Sequence, residues 1–244
     1  MTGHSLVSVG VTYALLLASQ AAALFLPASP ASKPPETPST SLPNVQCRDY
    51  LLISARGTGQ PQGPSVGFIS AIRQTLAAVP NGQEVDVQYA ADYSEIYQPG
   101  TDWTNRLLAQ RQKQCPKEKH ALLGYSQGAM VVASAVADHQ ADDPIGSRIS
   151  GVVVIGNPFH VPNRAGNVAD PALDLTSNSF GILSNNNPTY LKYAKSGQVL
   201  DLCFFGDPVC DLGNGTRPNI HLTYGGSDGV QNLIAKFLIS KLKA

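Results

Sequence analysis

One serine, Ser126, stands between two glycines in Gly124-Tyr125-Ser126-Gln127-Gly128. The spacing suits a nucleophile lifted out at a sharp strand-to-helix turn. There the serine takes strained backbone angles, and a glycine two residues away on each side lets the chain pass without a Cβ clash. A hydroxyl is a poor nucleophile at neutral pH. It needs a neutral imidazole as base and a carboxylate that holds the imidazole in the right tautomer. Of the five histidines, His4 falls in the N-terminal apolar segment, His120 is too close behind Ser126 to face it, and His139 ends the following helical stretch among acidic residues, in solvent. His160 and His221 remain. In open parallel sheets with such a turn the acid and then the base follow the serine, on loops after later strands, which favours His221 over His160. For the acid, Asp207 sits where "QVLDLCFFG" gives way to "GDPVCD". Asp201 lies inside that strand, and Asp211 falls after the second cysteine, in solvent, so Asp207 is the best placed.

Acyl transfer also needs donors aimed at the charge that develops on the carbonyl oxygen. The N–H after the serine opens a helix, where partial positive charge gathers, and Arg56-Gly57-Thr58-Gly59 brings a second donor from the neighbouring strand end. No lysine follows these glycines in the pattern of a phosphate loop. The four cysteines, Cys47, Cys115, Cys203 and Cys210, are even in number, which argues for two disulfides with three pairings open. Their spacings lack the paired half-sites of zinc modules, so neither a metal nor another cofactor is expected. Asn214-Gly215-Thr216 is an N-glycosylation sequon in a polar loop.

The elements that must position these residues are legible as alternating patterns. Continuous apolar runs at "YLLISAR", "VDVQYAA", "HALLGYS", "GVVVIGN" and "VLDLCFF" read as buried strands. Helical patterns at "SVGFISAIRQTLAAV", "DWTNRLLAQRQKQ", "GAMVVASAVADH" and "GVQNLIAKFLISKLKA" fall between and after them. The expected fold class is α/β, a three-layer α/β/α sandwich around a central, mostly parallel five-stranded sheet. One folded domain spans residues 45–244. Ahead of it, residues 1–23 read as a signal peptide, and residues 24–44, rich in Pro, Ser and Thr, as an extended linker, so the mature chain is expected to be secreted without stable membrane association. The 17 basic and 17 acidic residues give a formal net charge of zero, so no basic field is available for nucleic acid. Residues 159–196 form a long excursion of the kind that carries a lid or binding wall. The loops at 92–100 and 212–220 should flank the serine; Tyr93, Ile96 and Tyr97 in the first suit acyl chains.

The segments "LLISARGTGQPQG", "CPKEKHALLGYSQGA", "CFFGDPVC" and "HLTYGGSDGVQ" resemble the cutinase family, in particular the fungal cutinase-like esterases that also attack aliphatic polyesters. The likeness spans nearly all of residues 45–244. It implies a small α/β-hydrolase fold with Ser126 as nucleophile, His221 as base and Asp207 as orienting acid. It also implies disulfides Cys47–Cys115 and Cys203–Cys210, and an oxyanion hole from the N–H groups of Thr58 and Gln127 with the Thr58 hydroxyl assisting. The implied activity is that of a monomeric esterase acting on short to medium aliphatic acyl esters and on polyesters such as cutin. The loop at 212–220 is more polar than the family's hydrophobic wall, which weakens the assignment to cutin. The alternatives are an acetylxylan esterase of the same fold and, from another class, a secreted surface-binding protein with a vestigial site.

Overall fold

Alternation of apolar side chains decides how the strands face. In β1 (Tyr50–Ala55), Leu51, Ile53 and Ala55 enter one core cluster, while Tyr50 and Leu52 enter a second cluster on the opposite face. β3 (Lys119–Tyr125) and β4 (Ile149–Ile155) divide in the same way, with Leu122, Val152 and Val154 on the first face and Leu123, Val153 and Ile155 on the other. Strands buried on both faces require helices on both. α2 (Gln98–Gln114) and α3 (Gln127–Ala137) close the first cluster, and α1 (Ile69–Ala78) and α5 (Asp228–Lys243) close the second. The short α4 (Leu191–Lys195) adds Tyr193 and Ala194 to the first.

The computed structural model describes residues 41–169, 176, 178–186, 190–217 and 219–244, all within one compact unit. The expected signal peptide at 1–23 and nearly all of the linker at 24–44 lie outside the described residues. Among those residues no helix is long and apolar enough to cross a membrane.

The sheet has six parallel strands in the order β2-β1-β3-β4-β6-β5, where β2 is Gly82–Asp86, β5 is Asn167–Ala169 and β6 is Val199–Cys203. The sequence led us to expect five. The sixth, β5, is three residues long inside the excursion at 159–196 and carries no apolar alternation that would mark it. β2 also lies earlier than "VDVQYAA" suggested. As an edge strand it is only partly buried, so the polar stretch "GQEVD" pairs with Tyr50–Ser54, while Val87, Tyr89 and Ala91 leave the ladder for the core. From β1 the chain winds outward to β2, and from β3 it winds the other way, so the connections diverge at the carboxyl ends of β1 and β3. A crevice opens at such a switch point.

At the opposite end of the sheet the start of the domain is tied down twice. Cys47 is bonded to Cys115 after α2, closing a sequence separation of 68 residues. Beside it Glu118, 1% exposed, accepts from Arg111 Nε at 2.7 Å, from Arg111 Nη2, and from the Arg48 backbone N–H at 2.9 Å. His120 Nε2 lies 3.3 Å from the same carboxylate, and Arg111 also donates to the Gln46 carbonyl at 3.1 Å. Burial pushes the Glu118 carboxyl up, but the hydrogen bonds from His120, Arg111 and Arg48 outweigh it and hold it at about 2. A folded pKa below the unfolded one stabilises above the unfolded value, and that contribution disappears as pH falls toward the folded value.

Removing one partner of a buried ion pair costs about 3–5 kcal/mol. Glu118→Gln is therefore expected to lower Tm at pH 7 by on the order of 10 °C. The deficit relative to the parent should shrink as pH falls from about 4.5 to 2, because the parent loses its carboxylate there. Thermal unfolding followed by circular dichroism at pH 7, 4 and 2.5 measures it, and a deficit constant with pH contradicts the assignment.

Candidate active site

β3 delivers Ser126 to the switch point, and α3 starts at the next residue. Ser126 has φ 55° and ψ −119°, a strained geometry for a residue with a side chain. Its N–H donates to the Ile155 carbonyl of β4 at 3.0 Å. The flanking glycines are explained by contact. A Cβ on Gly124 would fall 2.3 Å from the Gly128 carbonyl oxygen, and one on Gly128 would fall 2.1 Å from the Ala55 carbonyl oxygen of β1.

His221 sits in a 3-10 turn, Ile220–Leu222, with Nε2 2.9 Å from Ser126 Oγ and Nδ1 2.9 Å from each Asp207 oxygen. Two tyrosines hold this row from behind. Tyr125 OH donates to the His221 carbonyl at 2.6 Å, and Tyr224 OH donates to Asp207 Oδ2 at 2.6 Å. The Val209 N–H adds a bond of 2.8 Å to Asp207 Oδ1. Asp207 is 0% exposed and lies inside the small ring closed by the Cys203–Cys210 disulfide. The imidazole packs so closely on the chain that a Cβ at Gly156 would come within 2.7 Å of His221 Cε1.

The rival histidine and the rival aspartate pair with each other. His160 Nδ1 and Asp201 Oδ1 are 2.8 Å apart, both residues are buried, and Asn157 Nδ2 donates to Asp201 Oδ2 at 2.8 Å. This couple pins the start of the excursion to β6. Asp211, expected in solvent, is buried: it accepts the Gly206 N–H at 2.6 Å and the Ser179 hydroxyl, and so braces the loop around Asp207. Asn214 Nδ2 donates to Asp211 Oδ1 at 2.6 Å and to Ser179 Oγ at 3.2 Å. A glycan there would leave one hydrogen for these two acceptors.

Thr58 lines the same cleft as Ser126, and Gln127, first in α3, has an N–H without an acceptor inside the helix. The loop carrying Thr58 is fixed by Arg56, which donates to the carbonyls of Gln60 at 2.9 Å, Val87 at 3.3 Å, Ala90 at 3.1 Å and Tyr89. Glu95 was not singled out in the sequence. Its Oε1 accepts the Thr58 hydroxyl at 2.8 Å and its Oε2 accepts Gln127 Nε2 at 3.1 Å, so one carboxylate ties both residues to the 92–97 loop. Thr58 Oγ1 has one proton, and here it points to Glu95. In this arrangement the hydroxyl proton is committed to Glu95, away from the oxyanion role expected of it. Glu95 itself sits at φ 57°, an uncommon conformation for glutamate.

A cleft of about 410 Å³ lies over Ser126 and His221, with Thr58, Val66, Tyr93 and Leu222 among its walls. Of the three expected wall residues only Tyr93 lines it. Ile96 is exposed outside the cleft, and Tyr97 turns inward against Phe159 with ring centroids 6.0 Å apart. The described part of the 212–220 loop stays out of the cleft; Leu222, just beyond it, takes that side.

Two expectations follow for a soluble ester. Glu95→Ala should lower kcat/KM about tenfold, the scale of one charge-assisted hydrogen bond, with Tm nearly unchanged because Glu95 is exposed. Glu95→Gln, which can still accept from Thr58, should fall between. Replacing Cys203 and Cys210 by serine should lower kcat by up to about a hundredfold in still-folded protein, since the aspartate loop loses its brace. The Cys47 and Cys115 double replacement should mainly lower Tm.

The Cutinase family model matches residues 46–242. Cutinase 4 of Emericella nidulans is 29% identical over 246 residues, covering 97% of this chain and 89% of that protein. Among solved structures, a cutinase-like protein from Cryptococcus sp. is 33% identical with a TM-score of 0.75, covering 85% of this chain and 98% of that one. The catalytic core of acetyl xylan esterase from Trichoderma reesei, at 20% identity and a TM-score of 0.68, covers 80% of this chain and 100% of that one and shares the fold. With its serine turn, buried aspartate and bridging histidine in one parallel sheet, the chain belongs to the cutinase family and is a carboxylic ester hydrolase.

Proposed function

We propose that the chain is a secreted serine esterase that cleaves esters of short to medium aliphatic acids, aliphatic polyesters among them, through an acyl-enzyme on Ser126. The observation that supports this reading is the unbroken row from Asp207 through His221 to Ser126 Oγ at hydrogen-bond distance. His221 Nε2 takes the Ser126 proton as Oγ attacks the ester carbonyl, and Asp207 holds the imidazolium that forms. The carbonyl oxygen becomes an oxyanion facing the Thr58 and Gln127 N–H groups, each such donor being worth about 2.7–4 kcal/mol. His221 then protonates the departing alcohol, and the same base activates water to release the acid from Oγ.

The rim supports an aliphatic substrate. Val66 is 51%, Tyr93 85% and Leu222 70% exposed around the nucleophile, an apolar collar on a shallow cleft. Such a collar suits a chain presented at a surface. Two disulfides suit an oxidising compartment, in keeping with export.

Hydrolysis of p-nitrophenyl acetate, butyrate and palmitate, alongside acetylated xylan and an emulsified aliphatic polyester, tests the reading. Butyrate and the polyester are expected to be favoured, and Ser126→Ala should abolish both activities without changing the fold. Exclusive use of acetyl esters and acetylated xylan would move the assignment to a polysaccharide deacetylase. Undiminished turnover by Ser126→Ala would remove the acyl-enzyme mechanism, and no hydrolysis of any ester by the parent would leave a binding protein with a vestigial site.

A further inference from the structure

The hydroxyl of Tyr224 is committed on both sides. The Phe204 N–H donates to its oxygen at 2.9 Å, and the single hydroxyl proton goes to Asp207 Oδ2 at 2.6 Å. The disulfide sulfur Cys210 Sγ, at 3.5 Å, is a much weaker acceptor than a carboxylate. Tyr224 is fully buried, with its ring stacked on Phe204 at 4.3 Å between centroids. Gln231 of α5 fixes it from behind by donating to the Tyr224 carbonyl at 3.0 Å and the Gly67 carbonyl at 2.8 Å, while accepting the Ala71 N–H at 2.9 Å. So much anchoring exceeds what filling the core requires.

We infer that Tyr224 is a fourth member of the site, a positioning residue whose hydroxyl fixes the Asp207 carboxylate and limits how strongly that carboxylate retains the proton on His221. The inference rests on the reading of Ser126, His221 and Asp207 as the reacting set. A donor to a carboxylate disperses its charge, and Asp207 already accepts from Val209 and His221. Without the tyrosine proton more of that charge falls on the imidazolium, which then holds its proton to higher pH. The site becomes a competent base only in more alkaline solution.

Among the described residues the neighbouring groups do not supply this effect; Arg217, whose stem lies against Gly206, is exposed to solvent. Tyr125, packed against His221 with centroids 5.4 Å apart, is pushed up to about 12 by burial and by Asp207, so it stays neutral across the working range. Asp211 is spent on Gly206, Ser179 and Asn214. Glu95 lies on the oxyanion side, bonded to Thr58 and Gln127. Tyr224 itself is raised well above its ordinary range by burial and then by Asp207, so it remains a donor throughout.

The test is Tyr224→Phe, which keeps the ring and its stacking, assayed as kcat/KM for p-nitrophenyl butyrate from pH 4 to 9. The acid limb is expected to move to higher pH by roughly 0.5–1 unit, part of the effect of one hydrogen bond to a charged group. In an Asp207→Asn background the same substitution should change the rate less than about twofold, since no charge is left to disperse. Site-specific 3-fluorotyrosine at position 224, a stronger donor of nearly the same volume, should move the limb to lower pH and serves if the phenylalanine variant fails to fold. A limb that stays in place in both variants, or moves the same way in both, overturns the inference. Ser126→Ala separates the cases: if it is inactive while the limb does not move, only the role of Tyr224 fails, whereas an active Ser126→Ala removes the set it rests on.

Discussion

The arrangement depends on one close backbone approach. Gly128 in the first turn of α3 lies against the Ala55 carbonyl at the end of β1, so close that any side chain there would collide with it. Ser126 turns the chain into that approach at φ 55°, and its N–H is secured to β4. The consequence reaches beyond the serine. The last residue of β1 is thereby held beside the start of α3, so the loop that leaves β1 starts next to the serine turn, and Glu95 ties its Thr58 to Gln127. A single contact between the ends of adjacent strands thus sets Ser126 and the start of the Thr58 loop side by side.

The remaining parts arrive by topology. Every strand of a parallel sheet ends on the same edge, so the loops after β1, β3 and β6 meet there without long detours. β6 ends in the disulfide ring that buries Asp207, and the turn before α5 brings His221 across to it. Burial of the aspartate is sustained by donors from Val209, His221 and Tyr224, which an isolated carboxylate in that position would lack. The other end of the sheet carries the structural load, with a disulfide and the Arg111–Glu118 pair far from the chemistry.

Residues whose role is written into a local pattern were legible. The glycine spacing announced Ser126, the apolar runs announced the strands, and the order of acid and base along the chain singled out Asp207 and His221. Residues whose role comes from a bond between distant loops were not. Glu95 carries no local mark of a role, and only the fold shows its carboxylate between Thr58 and Gln127. Asp211 was expected in water because a position after a cysteine says nothing of the serine and asparagine that fold over it. Tyr97 was read as a wall because an aromatic in a loop near the serine has no mark of which way it turns; Phe159 decides that. β5 escaped because three residues are too few for a period to show.

The three apolar side chains around the cleft, Val66, Tyr93 and Leu222, share one face with the nucleophile. On an oily solid such a rim would favour the orientation that turns the cleft toward the material. On a solid that carries cleavable esters, copies adsorbed that way would be in place to react, and the number that fit on the exposed area would become the limiting quantity. Rates on a solid would accordingly level off with added protein instead of added material, and a surfactant that coats either surface would displace the molecule before it affected the reacting groups.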